Sequence, residues 1–171
     1  MKYEEEILKL FKHGYLTTSD VEKNNIPRSY LTKMIKDNII ERVSRGLYIK
    51  KSYAPNELII LQSKSKYAIY SNTTALYLHG LSNRLPIKYD ITVKNGYNGS
   101  LQNDVNVNLF YVKKEVLNLG IIDYQLDSGN IIKVYDLERT ICDIIKNKSK
   151  LDLELVNKAI REYFYSKEKN I

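Results

Sequence analysis

Along residues 3–12, Ile7, Leu8 and Phe11, with Tyr3 and Leu10 nearby, recur at helical spacing. Glu4, Glu5 and Glu6 stand in the first turn, where the positive end of a helix dipole favours carboxylates. Gly14 stops that helix. Thr17-Thr18-Ser19-Asp20 then sets a hydroxyl three residues ahead of a carboxylate, a capping start for a short helix through Lys23 that Asn24-Asn25 break. Ile26-Pro27 restarts the chain, because proline is tolerated in a first helical turn where its missing N–H costs nothing. From Arg28 to Asp37, Leu31, Met34 and Ile35 form one stripe and Arg28, Ser29, Thr32, Lys33 and Lys36 the opposite one. Ile39–Val43 and Leu47–Ile49 flank a tight Ser44-Arg45-Gly46 turn and predict a β-hairpin, with Tyr48 packing in it. Tyr30 fits either a packing or a surface role.

The pattern changes at Ser52-Tyr53-Ala54-Pro55-Asn56, which places a boundary between a first domain over residues 1–52 and a second over 53–171. Glu57–Ser63 reads as a helix and Tyr67–Ser71 as a short strand. Asn72-Thr73-Thr74 caps a helix through Leu78 that Gly80 closes. Tyr89–Val93 alternates, and so do Val105, Val107, Leu109 and Tyr111, the mark of a half-buried strand. Asp123–Leu126 and Ile131–Val134 flank Ser128-Gly129-Asn130 as a hairpin. Helices over Leu137–Ile145 and Leu153–Tyr165 and a charged tail at Ser166–Asn170 finish the chain. The expected class is α+β, a winged helix-turn-helix followed by a domain with a mostly antiparallel sheet.

Charge sharpens the first domain. The 171 residues carry 27 Lys+Arg against 20 Asp+Glu, a formal charge of +7. Residues 23–51 hold Lys23, Arg28, Lys33, Lys36, Arg42, Arg45, Lys50 and Lys51 against only Asp37 and Glu41, so most of the excess falls in one segment. Two helices, a turn, a third helix and a basic hairpin is the order of a winged helix-turn-helix. A helix fits the major groove of duplex DNA, and its exposed face must donate to phosphates and base edges. Arg28, Ser29, Thr32, Lys33 and Lys36 supply that face, and Arg42 and Arg45 sit on the wing, where arginine contacts phosphate or enters a minor groove.

Enzymatic chemistry finds little footing. His13 and His79 each precede a glycine at a helix end and read as helix-terminal residues. Two histidines and one cysteine without close spacing make no ordinary zinc site. Cys142, beside Ile141 and Ile144, reads as an inert core thiol. Gly99-Ser100 with the Asp136/Glu138 and Asp152/Glu154 pairs does not make a nucleotidyltransferase site, because both acid pairs lie at helix starts and the nearest acid, Asp104, is alone. No phosphate-binding loop of the Walker kind and no dinucleotide fingerprint is present, so no cofactor is expected. The lone cysteine, short apolar runs and lack of a basic-then-apolar leader predict a soluble protein of the reducing cytoplasm, away from membranes.

Three segments carry a resemblance. Arg42-Val43-Ser44-Arg45-Gly46-Leu47-Tyr48 resembles the wing of the AbiEi-type antitoxins of AbiE abortive-infection systems. Tyr70-Ser71-Asn72-Thr73-Thr74-Ala75-Leu76-Tyr77-Leu78-His79-Gly80-Leu81 is similar to the opening helix of that family's second domain. Tyr135-Asp136-Leu137-Glu138-Arg139-Thr140-Ile141-Cys142-Asp143-Ile144 is similar to its late helix. The resemblance implies a phage-defence regulator whose winged helix binds double-stranded DNA at inverted repeats in its own promoter, as a monomer or dimer pairing on the DNA. It implies a second domain that counters a nucleotidyltransferase-like toxin without a stable complex, the type IV arrangement. Some relatives act as regulators alone, so a stand-alone regulator with a ligand-sensing second domain is the alternative. His79, Arg84, Lys88, Lys113, Lys114 and Arg139 are candidates for a second basic, antitoxin surface. Arg139 and Asp143 also stand four apart, the spacing of a helical ion pair.

Overall fold

The computed structural model describes residues 3–165, so the tail expected at 166–170 lies outside the described residues. These residues divide into two compact units: residues 3–64 together with 125–132, and residues 65–124 with 133–165.

The first unit contains α1 (Glu4–Lys9), β1 (Tyr15–Thr17), α2 (Thr18–Lys23), α3 (Ser29–Lys36), β2 (Ile40–Ser44), β3 (Leu47–Lys50) and α4 (Glu57–Ser63). The helices and the β2–β3 hairpin stand where the apolar spacing puts them. β1 is an addition. It pairs antiparallel with β3 to give a three-stranded sheet of order β1-β3-β2. Three residues are too few to show alternation, so this strand comes from pairing rather than from pattern.

Side chains alternate across that sheet. Leu16 and Tyr48 turn to one face, where they join Ile7, Val21, Ile26, Leu31, Met34 and Ile40 in a core drawn from all three leading helices. Tyr15, Leu47 and Ile49 turn to the other, where Tyr53 and Ile59 cover them. Tyr15 Oη also accepts from Asn56 N at 2.6 Å, and burial pushes its phenol up. These contacts bring α4 into the first unit, which therefore runs past residue 52 to residue 64.

The second unit is built on β4 (Ile69–Tyr70), β5 (Tyr89–Lys94), β6 (Val107–Val112), β7 (Ile121–Gln125) and β8 (Ile131–Tyr135), with α5 (Asn72–Leu78), α6 (Lys114–Leu117), α7 (Leu137–Lys146) and α8 (Leu153–Tyr165). The strand order is β6-β5-β4-β8-β7. The sheet is mixed, which corrects the mostly antiparallel expectation. β4 pairs antiparallel with β5, but β5 with β6 and β4 with β8 are parallel. Residues 95–106, which hold only a short 3₁₀ turn, are just long enough for the parallel return that usually takes a helix. Val105 lies in that connection and is 77% exposed, not a strand residue as its alternation predicts.

α5, α7 and α8 pack together through Leu76, Leu137, Ile141, Ile144, Val156, Ala159 and Tyr163. α7 is capped as its sequence predicts, with Asp136 accepting from Arg139 N at 2.8 Å. Cys142, in contrast, is exposed. The buried residues Leu137, Thr140, Ile141 and Ile144 define one helical stripe, and position 142 turns away from it. The expectation of a core thiol fails on that geometry. Among the described residues, no helix is long and apolar enough to cross a membrane.

Candidate nucleic-acid interface

The basic face of the first unit is held by local chemistry at each end of α2 and α3. Thr17 caps α2: its hydroxyl accepts from Asp20 N at 3.1 Å, and Thr17 N donates to the Asp20 carboxylate at 3.0 Å, the reciprocal pair that the sequence predicts. The turn into α3 is tied by Asn24 Nδ2 to Asp20 O at 2.8 Å and by Ile26 N to Val21 O at 3.1 Å, with Ile26 buried. α3 ends in a Schellman arrangement, in which Ile39 N donates to Met34 O and Asn38 N to Ile35 O at 2.9 and 3.0 Å. Asn38 takes the left-handed turn at φ +56°.

Leu31 and Met34 are buried on the inner side of α3, while Ser29, Thr32, Lys33 and Lys36 are exposed on the outer. Ile35 is 36% exposed, so it belongs to the edge of the stripe rather than its centre. Neither Lys33 nor Lys36 has an acidic partner among the described residues. Arg28 differs: it forms an ion pair with Glu22 on α2, which the sequence reading passed over. Any phosphate contact by Arg28 competes with that carboxylate.

In the hairpin, Ser44 faces Leu47, so the turn itself is Arg45-Gly46. Gly46 sits at φ +76°, where a side chain is strained. Its carbonyl accepts from Thr18 N at 2.9 Å, which anchors the turn to the first residue of α2. Arg45 is exposed and makes no ion pair among the described residues. Arg42 is exposed but curls back, with Nε donating to Ser44 O at 3.2 Å. Tyr48 is buried, as expected of a packing residue, and Tyr30 packs edge-on against Tyr3 at 5.0 Å.

Residues 5–49 match the family model described as the transcriptional regulator AbiEi antitoxin. The matched stretch begins in α1 and ends in β3, so it covers the elements that carry the basic face. No curated protein matches the chain. Beyond Ile49 the AbiEi match is silent, and the second unit is read from its own geometry.

There, the candidate antitoxin residues do not form one surface. Arg139 is largely buried: its Nε donates to both Asp143 oxygens at 3.0 and 3.1 Å, and one terminal nitrogen donates to Val116 O and Leu119 O at 2.8 and 3.0 Å. The guanidinium also lies 4.4 Å from the centre of the Tyr135 ring. Burial pushes the Asp143 carboxyl up, against the opposing pull of Arg139, and pushes Tyr135 up to about 12. Arg139 is a core fastener, not a surface cation. The spacing of four marked the pair but not its burial.

Lys88 precedes β5 and Lys113 follows β6, and the two strands run parallel in register over six residues, so these lysines stand at opposite ends, roughly 20 Å apart along the strand direction. Lys114 follows Lys113, while Arg84 lies ahead of β5 and pairs with Asp152 at 3.4 Å. His79 caps α5 with its Nε2 2.8 Å from Tyr135 O, a structural position that its place before Gly80 predicts. His13 is different from expectation: α1 ends at Lys9, and His13 lies beyond it at φ +45°, its carbonyl accepting from Asn130 Nδ2 at 3.0 Å.

Sequence reasoning also missed the polar hub of the second unit. Asp90, 1% exposed, caps α5 from a distant strand: its carboxylate accepts from Thr73 N and Thr73 Oγ1 at 3.0 and 2.5 Å and from Asn108 Nδ2 at 3.1 Å. Burial pushes its carboxyl up, and those donors pull it down. Asn72, buried at φ +43°, accepts from Asn147 Nδ2 at 3.0 Å. Local sequence around Asn72-Thr73-Thr74 signalled a cap, but its acceptor lies 17 residues away. Among the described residues, no group of three His, Cys, Asp or Glu is placed to hold a metal.

Proposed function

We propose that this chain is an AbiEi-type DNA-binding regulator and antitoxin whose first unit is a winged helix-turn-helix. α3 lies in the major groove with Ser29, Thr32, Lys33 and Lys36 toward the DNA, and the Arg45 turn reaches flanking backbone. The observation that carries this reading is the coincidence of the AbiEi match over residues 5–49 with exposed Lys33, Lys36 and Arg45 that form no ion pair among the described residues. Unpaired cations on one helix and an anchored turn suit a phosphate lattice, because each neutralised phosphate releases condensed counterions. The fold supplies rigidity through the Thr17 cap, the Schellman end and the Thr18–Gly46 tie.

On this reading the protein represses its own operon through inverted repeats, two copies pairing on the DNA, in the cytoplasm. It counters a nucleotidyltransferase-like toxin and is itself a binding protein rather than an enzyme. The test is a gel shift with the full chain on DNA from upstream of its own gene. Lys33→Ala and Arg45→Ala each weaken binding by about tenfold if they contact phosphate or a base edge. Unchanged affinity in both variants overturns the assignment of α3 and the turn as the interface. Toxin rescue in cells expressing the neighbouring toxin gene tests the second half: both variants retain rescue, and loss of rescue in parallel with DNA binding contradicts a separate antitoxin role.

A further inference from the structure

The second unit holds two cavities with Lys150 in the walls of both. The smaller, about 140 Å³, is lined by Thr92, Tyr111, Asp143, Lys146, Asn147 and Lys150. The larger, about 420 Å³, is open to solvent and is lined by Thr73, Arg84, Ile87, Lys88, Asn108 and Lys150, with two carboxylates also in its wall, Asp90 bound by Thr73 and Asn108 and Asp152 paired with Arg84. The charges in the smaller cavity do not balance. Its acid, Asp143, is already held by Arg139 in the two-oxygen pair described above. Lys146 and Lys150 form no ion pair among the described residues; Lys146 adds to the pull of Arg139 on Asp143, so two ammonium groups border one small polar cavity whose single carboxylate is already held by a third cation. Asn147 is fixed beside them by its bond to buried Asn72, which pre-orients its amide.

The larger cavity has the size of a small-molecule site, within the range of about 300–1,000 Å³ in which ligands of this scale are held. Its rim carries Ile87, 97% exposed, and Leu85, 64% exposed, an apolar edge beside polar Thr73 and Asn108. With Lys150 in both walls, a small cationic end beside a wider, half-apolar one fits one ligand class.

We infer that the two cavities together bind a nucleoside phosphate. Lys146 and Lys150 take the phosphate as point charges, with the Asn147 amide beside them. The nucleoside occupies the open cleft, its ring against Leu85 and Ile87 and its polar edge toward Thr73 and Asn108. Lys88 at the cleft rim adds long-range attraction for the anion, whereas Arg84 is offset by Asp152. This inference goes beyond the DNA-binding reading, uses no residue of the first unit and stands or falls without it.

Isothermal titration of the full chain at low salt tests it, with adenosine 5′-monophosphate, guanosine 5′-monophosphate and inorganic phosphate as probes. At least one mononucleotide binds saturably at one site, about tenfold more tightly than inorganic phosphate, since only the nucleotide fills the cleft. Lys146→Ala/Lys150→Ala weakens that binding by about tenfold or more, as loss of charge-assisted contacts requires. Lys148→Ala, an exposed lysine between them that lines neither cavity, changes it by less than about twofold, since a solvated charge that makes no direct contact with the ligand contributes little. All three lysines are exposed, and matching thermal melts establish that the variants fold. Failure of both mononucleotides to saturate, equal affinity for inorganic phosphate, or equal loss in Lys148→Ala overturns the inference.

Discussion

α3 and α7 are both amphipathic helices with a buried apolar stripe and cations on their sequence, yet the fold treats those cations in opposite ways. On α3, Lys33 and Lys36 stand in solvent and form no ion pair among the described residues, although Asp37 caps the same helix. On α7, Arg139 is drawn under the surface, paired with Asp143, bound to two carbonyls and laid over the Tyr135 ring. Charge that holds a fold is paired and buried. Charge that waits for a partner is exposed and unpaired. The contrast separates the cations of this basic chain that are unpaired among the described residues, and on the proposed function open to DNA, from those already committed.

Substitution should separate the two helices sharply. Arg139→Ala leaves the buried Asp143 carboxylate without its two-oxygen partner and should cost roughly 3–5 kcal/mol in denaturant unfolding, the scale for breaking a buried pair from one side. A cost below about 1 kcal/mol would put Arg139 with ordinary surface pairs and remove the contrast. The helix caps come next. Thr17→Ala in α2 and Asp136→Ala in α7 should each lose about 1 kcal/mol, because both leave a first-turn N–H without its acceptor.

A smaller effect concerns pH. Burial raises Asp90 above its ordinary 3.8, so its folded-state proton is held more tightly than in the unfolded chain. A raised carboxyl contributes stability that is present below the unfolded value and is lost as pH rises through the folded one. Wild type should therefore lose stability relative to Asp90→Asn as pH climbs above 3.8, read by thermal melts across that window. A flat difference would mean that the Thr73 and Asn108 donors fully offset burial. Smallest of all, Lys33→Ala and Lys36→Ala should stay within about 0.5 kcal/mol of wild type in stability, as surface substitutions do.

What could be read in the sequence follows the range of the interaction responsible. The Thr17 cap, the Asp136 cap, the α3 stripe and the Gly46 turn act within a few residues, and each is legible in the string. β1 is not, since its three residues gain their conformation from β3. The parallel β5–β6 pairing is hidden because its connection has no helix to announce it. Asp90 reaches Thr73 across 17 positions, and Glu22 reaches Arg28 across the turn between two helices, so neither partner shows in local spacing. Arg139 and Asp143 were visible as a pair, but only packing tells a buried pair from a solvated one. Cys142 shows the cost of reading neighbours instead of phase: Ile141, Asp143 and Ile144 are buried, and Cys142 among them faces out. The two cavities that share Lys150 are walled by α5, β5, β6, α7 and the segments before β5 and after α7, elements far apart in the chain.

The most direct measurement is the salt dependence of DNA affinity, by fluorescence anisotropy of the full chain on duplex from upstream of its own gene. For wild type, log affinity should fall linearly with log salt, steeply enough to count several phosphates at about 0.9 each. In Lys33→Ala/Lys36→Ala/Arg45→Ala the slope should flatten by up to about 0.9 for each contact removed, with the fold intact. An unchanged slope and affinity in that variant would contradict the claim that the unpaired cations of α3 and its hairpin are the surface that meets DNA.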